Sequence, residues 1–181
     1  MNKQEHTFSI LVQNEAGALT KIAQLFYRRG YNIETLTVGK THRPGLSKIL
    51  VSVPVDDRDV ELLRRQLSNL QDVVQAEFLD RQRCIRTEVC LIRVTTRTLE
   101  ERTRIMGSAH PYRPRLRSID ELSIYLEVSD TPEMIDDFII TMGQYEILDV
   151  ARTGMTALGP SLEREACPVS LDGQLEGEVG L

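Results

Sequence analysis

The sequence predicts an α+β protein made of two ferredoxin-like βαββαβ units, and three observations carry that expectation. Over residues 7–79 the hydrophobic pattern runs strand, helix, strand, strand, helix, strand. The same order recurs more faintly over residues 88–153. A length of 181 residues allows one large domain or two of roughly 80 each, and 41% hydrophobic with 27% charged residues is the composition of a chain that buries a core.

The elements follow in order. Thr7 to Gln13 mixes alternation with β-branched and aromatic residues and stops at Asn14-Glu15-Ala16-Gly17, which is loop chemistry. From Ala18 the apolar positions Leu19, Ile22, Ala23 and Phe26 take helical spacing, and Arg28-Arg29-Gly30 supplies the basic last turn and the capping glycine. Tyr31 to Val38 and Ser47 to Val55 read as two strands of a hairpin around Gly39–Gly45. Asp56 and Asp57 offer N-cap chemistry to a helix carrying Val60, Leu63, Leu67 and Leu70, and Asp72 to Leu79 is extended again. In the second half the strands are Glu88 to Thr95, Arg115 to Arg117, Leu122 to Val128 and Glu146 to Thr153, with helices from Thr98 to about Met106 and from Pro132 to Met142. The last helix has clean spacing and a Thr131-Pro132 start, whereas the strand at Arg115 is flanked by Pro111 and Pro114. These patterns divide the chain into residues 1–80, residues 81–158 and an acidic tail, 159–181, expected to be disordered.

Composition excludes several functions. No run approaches the roughly 18 uncharged apolar residues of a membrane span, and Met1 to His6 is polar, so a soluble protein without a signal or transit peptide is expected. Cys84, Cys90 and Cys167 form neither a CxxC pair nor a disulfide framework. The three histidines stand beside no nucleophile with an orienting acid, and phosphate-loop, dinucleotide and HExxH motifs are missing, so no catalytic or metal-ligating residue is assigned. Charge is uneven: residues 81–118 hold 10 arginines against 3 glutamates, and residues 119–181 hold 2 arginines against 14 acids. With one aromatic, Tyr112, in the basic block, neutralisation within the domain or against a partner protein is expected rather than nucleic-acid binding.

The informative segment is the first strand-to-helix junction, Asn14 to Leu19. A helix that begins there aims unpaired backbone N–H groups and its positive end into the loop, a seat for a carboxylate worth about 0.3–2 kcal/mol. Gly17 would let a ligand approach the backbone, and Asn14 could read both the ammonium and the carboxylate of an amino acid. On the residues alone a simpler reading also stands, a short turn in which Asn14 caps the helix and Gly17 relieves strain.

Asn14-Glu15-Ala16-Gly17-Ala18-Leu19, the run from Phe26 through Arg29-Gly30-Tyr31-Asn32-Ile33-Glu34 to Gly39, and Gly45-Leu46-Ser47-Lys48 closely resemble the N-terminal ACT domain of the acetolactate synthase (acetohydroxyacid synthase) small subunit. Asp149 to Leu158 resembles the end of that family's second domain, so the resemblance spans nearly the whole chain; the His110–Arg117 segment departs from the family's apolar strand. The resemblance implies a regulatory, non-catalytic, cytoplasmic subunit that activates a catalytic large subunit and passes on feedback inhibition by valine in branched-chain amino acid synthesis. Thiamine diphosphate, Mg and FAD are then expected only in the catalytic partner. It implies a homodimer through edge-to-edge ACT domains. Valine, or another branched-chain amino acid, would bind between Asn14, Gly17 and Ala18 of one subunit and Asn32 and Ile33 of the other, with Leu11 or Leu19 lining the aliphatic pocket. The alternative is a stand-alone ACT sensor that regulates a different protein.

Overall fold

A computed structural model describes residues 4–159, so the predicted tail lies, Gly159 apart, outside the described residues. The first unit consists of β1 (Gln4–Gln13), α1 (Ala18–Arg28), β2 (Thr35–Lys40), β3 (Leu46–Val55), α2 (Asp57–Ser68) and β4 (Val73–Leu79). Its antiparallel sheet has the order β2-β3-β1-β4. Alternation along β1 sends Phe8, Ile10 and Val12 to one face, where they pack with Ile49, Val51 and Val53 of β3 and with Ile22, Leu25 and Phe26 of α1. Leu63 and Leu67 of α2 close the same core.

The helix α1 ends as the residues predict. Gly30 has φ +69°, its N–H donates to the Tyr27 carbonyl, and the Tyr31 N–H donates to the Phe26 carbonyl, the paired bonds of a Schellman motif. That closure corrects the start of the second strand. With its N–H spent on the helix end, Tyr31 cannot enter the sheet, and the chain rounds the helix until Glu34 N–H reaches Ser52 and β2 begins at Thr35. Asp56 occupies the N-cap position of α2, but no side-chain cap bond forms; its carboxylate lies 3.6 Å from the Arg58 guanidinium instead.

The second unit consists of β5 (Ile85–Thr95), α3 (Leu99–Ala109), a turn of 3-10 helix (His110–Tyr112), β6 (Arg115–Ile119), β7 (Ser123–Asp130), α4 (Pro132–Met142), β8 (Ile147–Arg152) and β9 (Thr156–Leu158). The sheet order is β6-β7-β5-β8. Cys90, Ile92 and Val94 of β5 meet Ile105 of α3 and Ile135, Phe138 and Met142 of α4 in its core. Thr98 caps α3, its Oγ1 accepting from the Glu101 N–H at 3.1 Å, and the Glu101 carboxylate reaches back to accept from the Arg97 N–H, one residue before the cap, at 2.7 Å. The strand at Arg115 exists as an exposed edge, and the prolines before it shape the 3-10 turn that buries Tyr112, whose hydroxyl donates to Asp137 Oδ2 at 2.6 Å.

Strand β5 starts three residues before the predicted Glu88 because Ile85–Thr87 pair with β9, a strand too short to show periodicity. Behind this ribbon Met155 and Ala157 pack on Leu50 and Leu79, on the face of the first sheet away from its helices. Gly154, at φ +74°, makes the approach possible: a Cβ there would stand 2.8 Å from Thr37 Oγ1.

The charge imbalance resolves inside the second unit. Arg86 pairs with Glu133 at 2.8 Å, Arg93 with Asp120 at 3.8 Å and Arg117 with Glu127 at 3.3 Å, so the basic block meets the acids that follow it. Burial pushes the Glu133 carboxyl up, but hydrogen bonds from Arg86 and Arg81 outweigh it and hold the group at about 2. A carboxylate so depressed stabilises the fold above its ordinary value of 4.5 and loses that contribution as pH falls towards 2. Glu133→Gln is therefore expected to lower stability at neutral pH and to flatten the acid limb between those values. Urea melts of both proteins across that range check it; parallel limbs would contradict it.

Candidate functional site

The β1–α1 junction is held from three sides. Gln13 N–H donates to the Asp72 carbonyl at 2.9 Å, Asn14 N–H to the Gly45 carbonyl at 2.8 Å, and Lys21 Nζ reaches the buried Asp72 carboxylate at 2.7 Å. Between these anchors residues 14–17 are exposed, and Ala18 starts α1 with its side chain buried. Gly17 is the N-cap residue, with left-handed φ +94° and ψ −12°, and no side chain caps the helix. The turn in which Asn14 caps α1 is thus not formed. Ala18 N–H makes a long 3.4 Å bond to the Glu15 carbonyl, and the N–H groups of Leu19 and Thr20 have no backbone acceptor among the described residues. A helix start with free donors, a glycine that leaves the approach open and an amide at the rim can seat a small carboxylate.

Asn32 and Ile33 lie elsewhere. They belong to the connection before β2, not to the strand itself; Asn32 is exposed and donates to Glu34 Oε1 at 3.1 Å, while Ile33 packs partly on the first core. The two groups flank opposite ends of α1, and 11 helical residues separate them by roughly 16 Å along the axis. One chain therefore does not bring them together. The outer edge of β2 is unpaired in the sheet, and Leu36 and Val38 stand half-exposed on its helix-side face. Of the two candidate pocket leucines, Leu19 sits half-exposed in the first turn of α1, whereas Leu11 lines the opposite face of the sheet, because alternation with Ile10 and Val12 turns it away from the helices.

Gly45, Lys21 and Asp72 support the loop but carry no local sequence signal. Their roles follow from the antiparallel sheet, which places the β2–β3 turn and the start of β4 beside the end of β1. A cleft of about 940 Å3 between the two units is lined by charged groups, but its guanidiniums are already engaged: Arg86 with Glu133, and Arg152 with Glu88 and Asp136. Among the described residues no cluster of His, Cys, Asp and Glu could hold a metal ion, and no helix is long and apolar enough to cross a membrane.

A βαββαβ unit whose first turn carries a left-handed glycine and an uncapped helix start, followed by a second βαββαβ unit whose first helix is capped by Thr98, has the tandem ferredoxin-like arrangement of ACT-class proteins. Residues 8–75 match the family model of the AHAS small subunit-like ACT domain, and residues 87–161 match that of the small subunit of acetolactate synthase. The acetolactate synthase small subunit of Bacillus subtilis is 34% identical over 87% of this chain and 92% of its own length. The probable acetolactate synthase small subunit of Archaeoglobus fulgidus is 37% identical over 85% of this chain and 96% of its own. The crystal structure of the Thermotoga maritima small subunit superposes with a TM-score of 0.79 at 30% identity, covering 87% of this chain and 98% of that one. The chain belongs to the acetolactate synthase small-subunit family, which is regulatory and not catalytic. A match along both units does not favour a stand-alone sensor acting on an unrelated protein.

Proposed function

We propose that this chain binds a catalytic acetolactate synthase large subunit, raises its activity and passes on feedback inhibition by valine or another branched-chain amino acid. The observation that carries the reading is the division of the site between opposite ends of α1. A second copy docked along the free edge of β2 would extend the sheet and bring one chain's Asn32 and Ile33 towards the other's Asn14, Gly17 and Ala18. The uncapped N–H groups and the positive end of α1 would take the carboxylate, Asn14 the ammonium, and Leu19 the aliphatic side chain. Valine binding would then be linked to assembly, as regulation requires, because a ligand with equal affinity for two states shifts neither. In this reading residues 1–80 sense the amino acid, residues 81–158 engage the cytoplasmic partner, and thiamine diphosphate, Mg and FAD belong to that partner.

Reconstitution with the large subunit from the same organism tests it. Added chain is expected to raise acetolactate formation, and valine to reverse the gain with a coupling of about 5- to 150-fold between valine and the active state. An unchanged rate with and without the chain would contradict the proposal.

A further inference from the structure

The face of the first sheet turned away from α1 and α2 is only partly covered. Beside the β9 ribbon runs a groove of about 440 Å3, floored by Leu11, Leu50 and Leu158. Lys40, His42, Arg43 and Lys48 of the β2–β3 hairpin line one side. Lys40, Arg43 and Lys48 form no salt bridge among the described residues, in contrast to the paired arginines of the second unit. Glu77 is the acid of the lining, and Gln75 already donates to it at 2.6 Å. Unpaired cations above an apolar floor form a surface for an acidic segment that also carries aliphatic side chains.

Such a segment follows directly in the chain. Leu158 lines the groove and is 66% exposed, and after Gly159 the sequence continues for 22 residues. These hold Glu163, Glu165, Asp172, Glu176 and Glu178 against a single cation, Arg164, with Leu162, Leu171, Leu175 and Val179 interspersed. The family match of the second unit ends at residue 161, so the acidic stretch lies beyond what the shared fold supplies. We propose that residues 162–181 dock in this groove, their carboxylates against Lys40, Arg43 and Lys48 and their aliphatic side chains on Leu11, Leu50 and Leu158. The tether begins at the groove wall, and an extended stretch of that length reaches roughly 70 Å, so every part of the groove is accessible to it. Tethering also gives the contact a high effective concentration, and individually weak ion pairs suffice. The hairpin that would be gripped carries Gly45, which holds Asn14 at the start of the β1–α1 loop. The docking does not depend on the amino-acid reading of that loop.

The test is amide hydrogen exchange on the full chain and on a variant with Glu163→Gln, Glu165→Gln, Asp172→Asn, Glu176→Gln and Glu178→Gln, substitutions that leave residues 4–159 unchanged. Amides of residues 40–48 are expected to exchange roughly 3- to 10-fold more slowly in the unsubstituted chain at low ionic strength, and equally in both at about 1 M salt, where such pairs are screened. A synthetic peptide of residues 160–181 added to the variant should restore the protection. Equal hairpin exchange in both proteins at low salt overturns the proposal and leaves the groove to another acidic partner. Protection that rises with protein concentration places the segment on a second copy and overturns docking within the chain.

Discussion

Gly17→Asp is expected to abolish valine binding while leaving the chain folded. Two costs attend the change, and they separate cleanly. An aspartate must adopt the left-handed conformation that glycine holds at φ +94°, a penalty of about 1–2 kcal/mol for an ordinary side chain and less for Asp. No heavy atom lies within 4 Å of the added Cβ, so there is no clash to add. The carboxylate then occupies the helix start where the ligand's carboxylate would sit, and repels it. Gly17→Ala is the control: it carries the backbone strain without the charge and should still bind valine, with a modest loss. Calorimetric titration of the three proteins, with thermal melts to confirm folding, decides the matter. An aspartate variant that titrates valine like the parent would remove the ligand from this loop.

The largest expected loss of stability comes from Arg152→Ala. Glu88 is 3% exposed, and both of its carboxylate oxygens accept from Arg152 at 2.8 Å, while the same guanidinium also donates to Asp136 at 2.7 Å. Truncating the arginine leaves a buried carboxylate without its counter-charge, a change that costs about 3–5 kcal/mol. For a chain of this size that corresponds to a melting midpoint roughly 6–20 °C lower. Replacing both partners by apolar residues, as in Glu88→Leu with Arg152→Met, should recover most of the loss, since no uncompensated charge remains. Denaturant melts of the single and double variants check the pair. A single variant as stable as the parent would show that solvent reaches Glu88.

Much of the first unit could be read from the residues because its signals are local. The spacing of Ile22 and Phe26, the arginines before Gly30 and the alternation of Phe8, Ile10 and Val12 each act within one element, and each lies where it was expected. What the sequence hid depends on pairings between distant segments. Strand β9 has three residues and exists only because β5 extends to meet it and the first sheet receives Met155 and Ala157. Tyr31 opens a run that alternates like a strand, but its N–H is committed to the helix end. The candidate site divides in the same way. Gly17 and Asn14 are visible as loop chemistry, whereas Gly45 and Asp72, which hold the loop in place, sit in turns just before β3 and β4 that adjoin it only in the folded sheet. The separation of Asn32 and Ile33 from that loop is a matter of helix length, since the 11 residues of α1 stand between them.

The proposed amino-acid site is completed between two copies of this chain. Its most direct test is isothermal titration of the purified protein with valine, leucine and isoleucine, with the oligomeric state followed by light scattering in the same buffer. Saturable binding to a dimer is expected, lost in Gly17→Asp and weakened in Asn32→Ala on the opposite side of the site. Binding by a monomer, or a folded dimer that takes up none of the three, would contradict it.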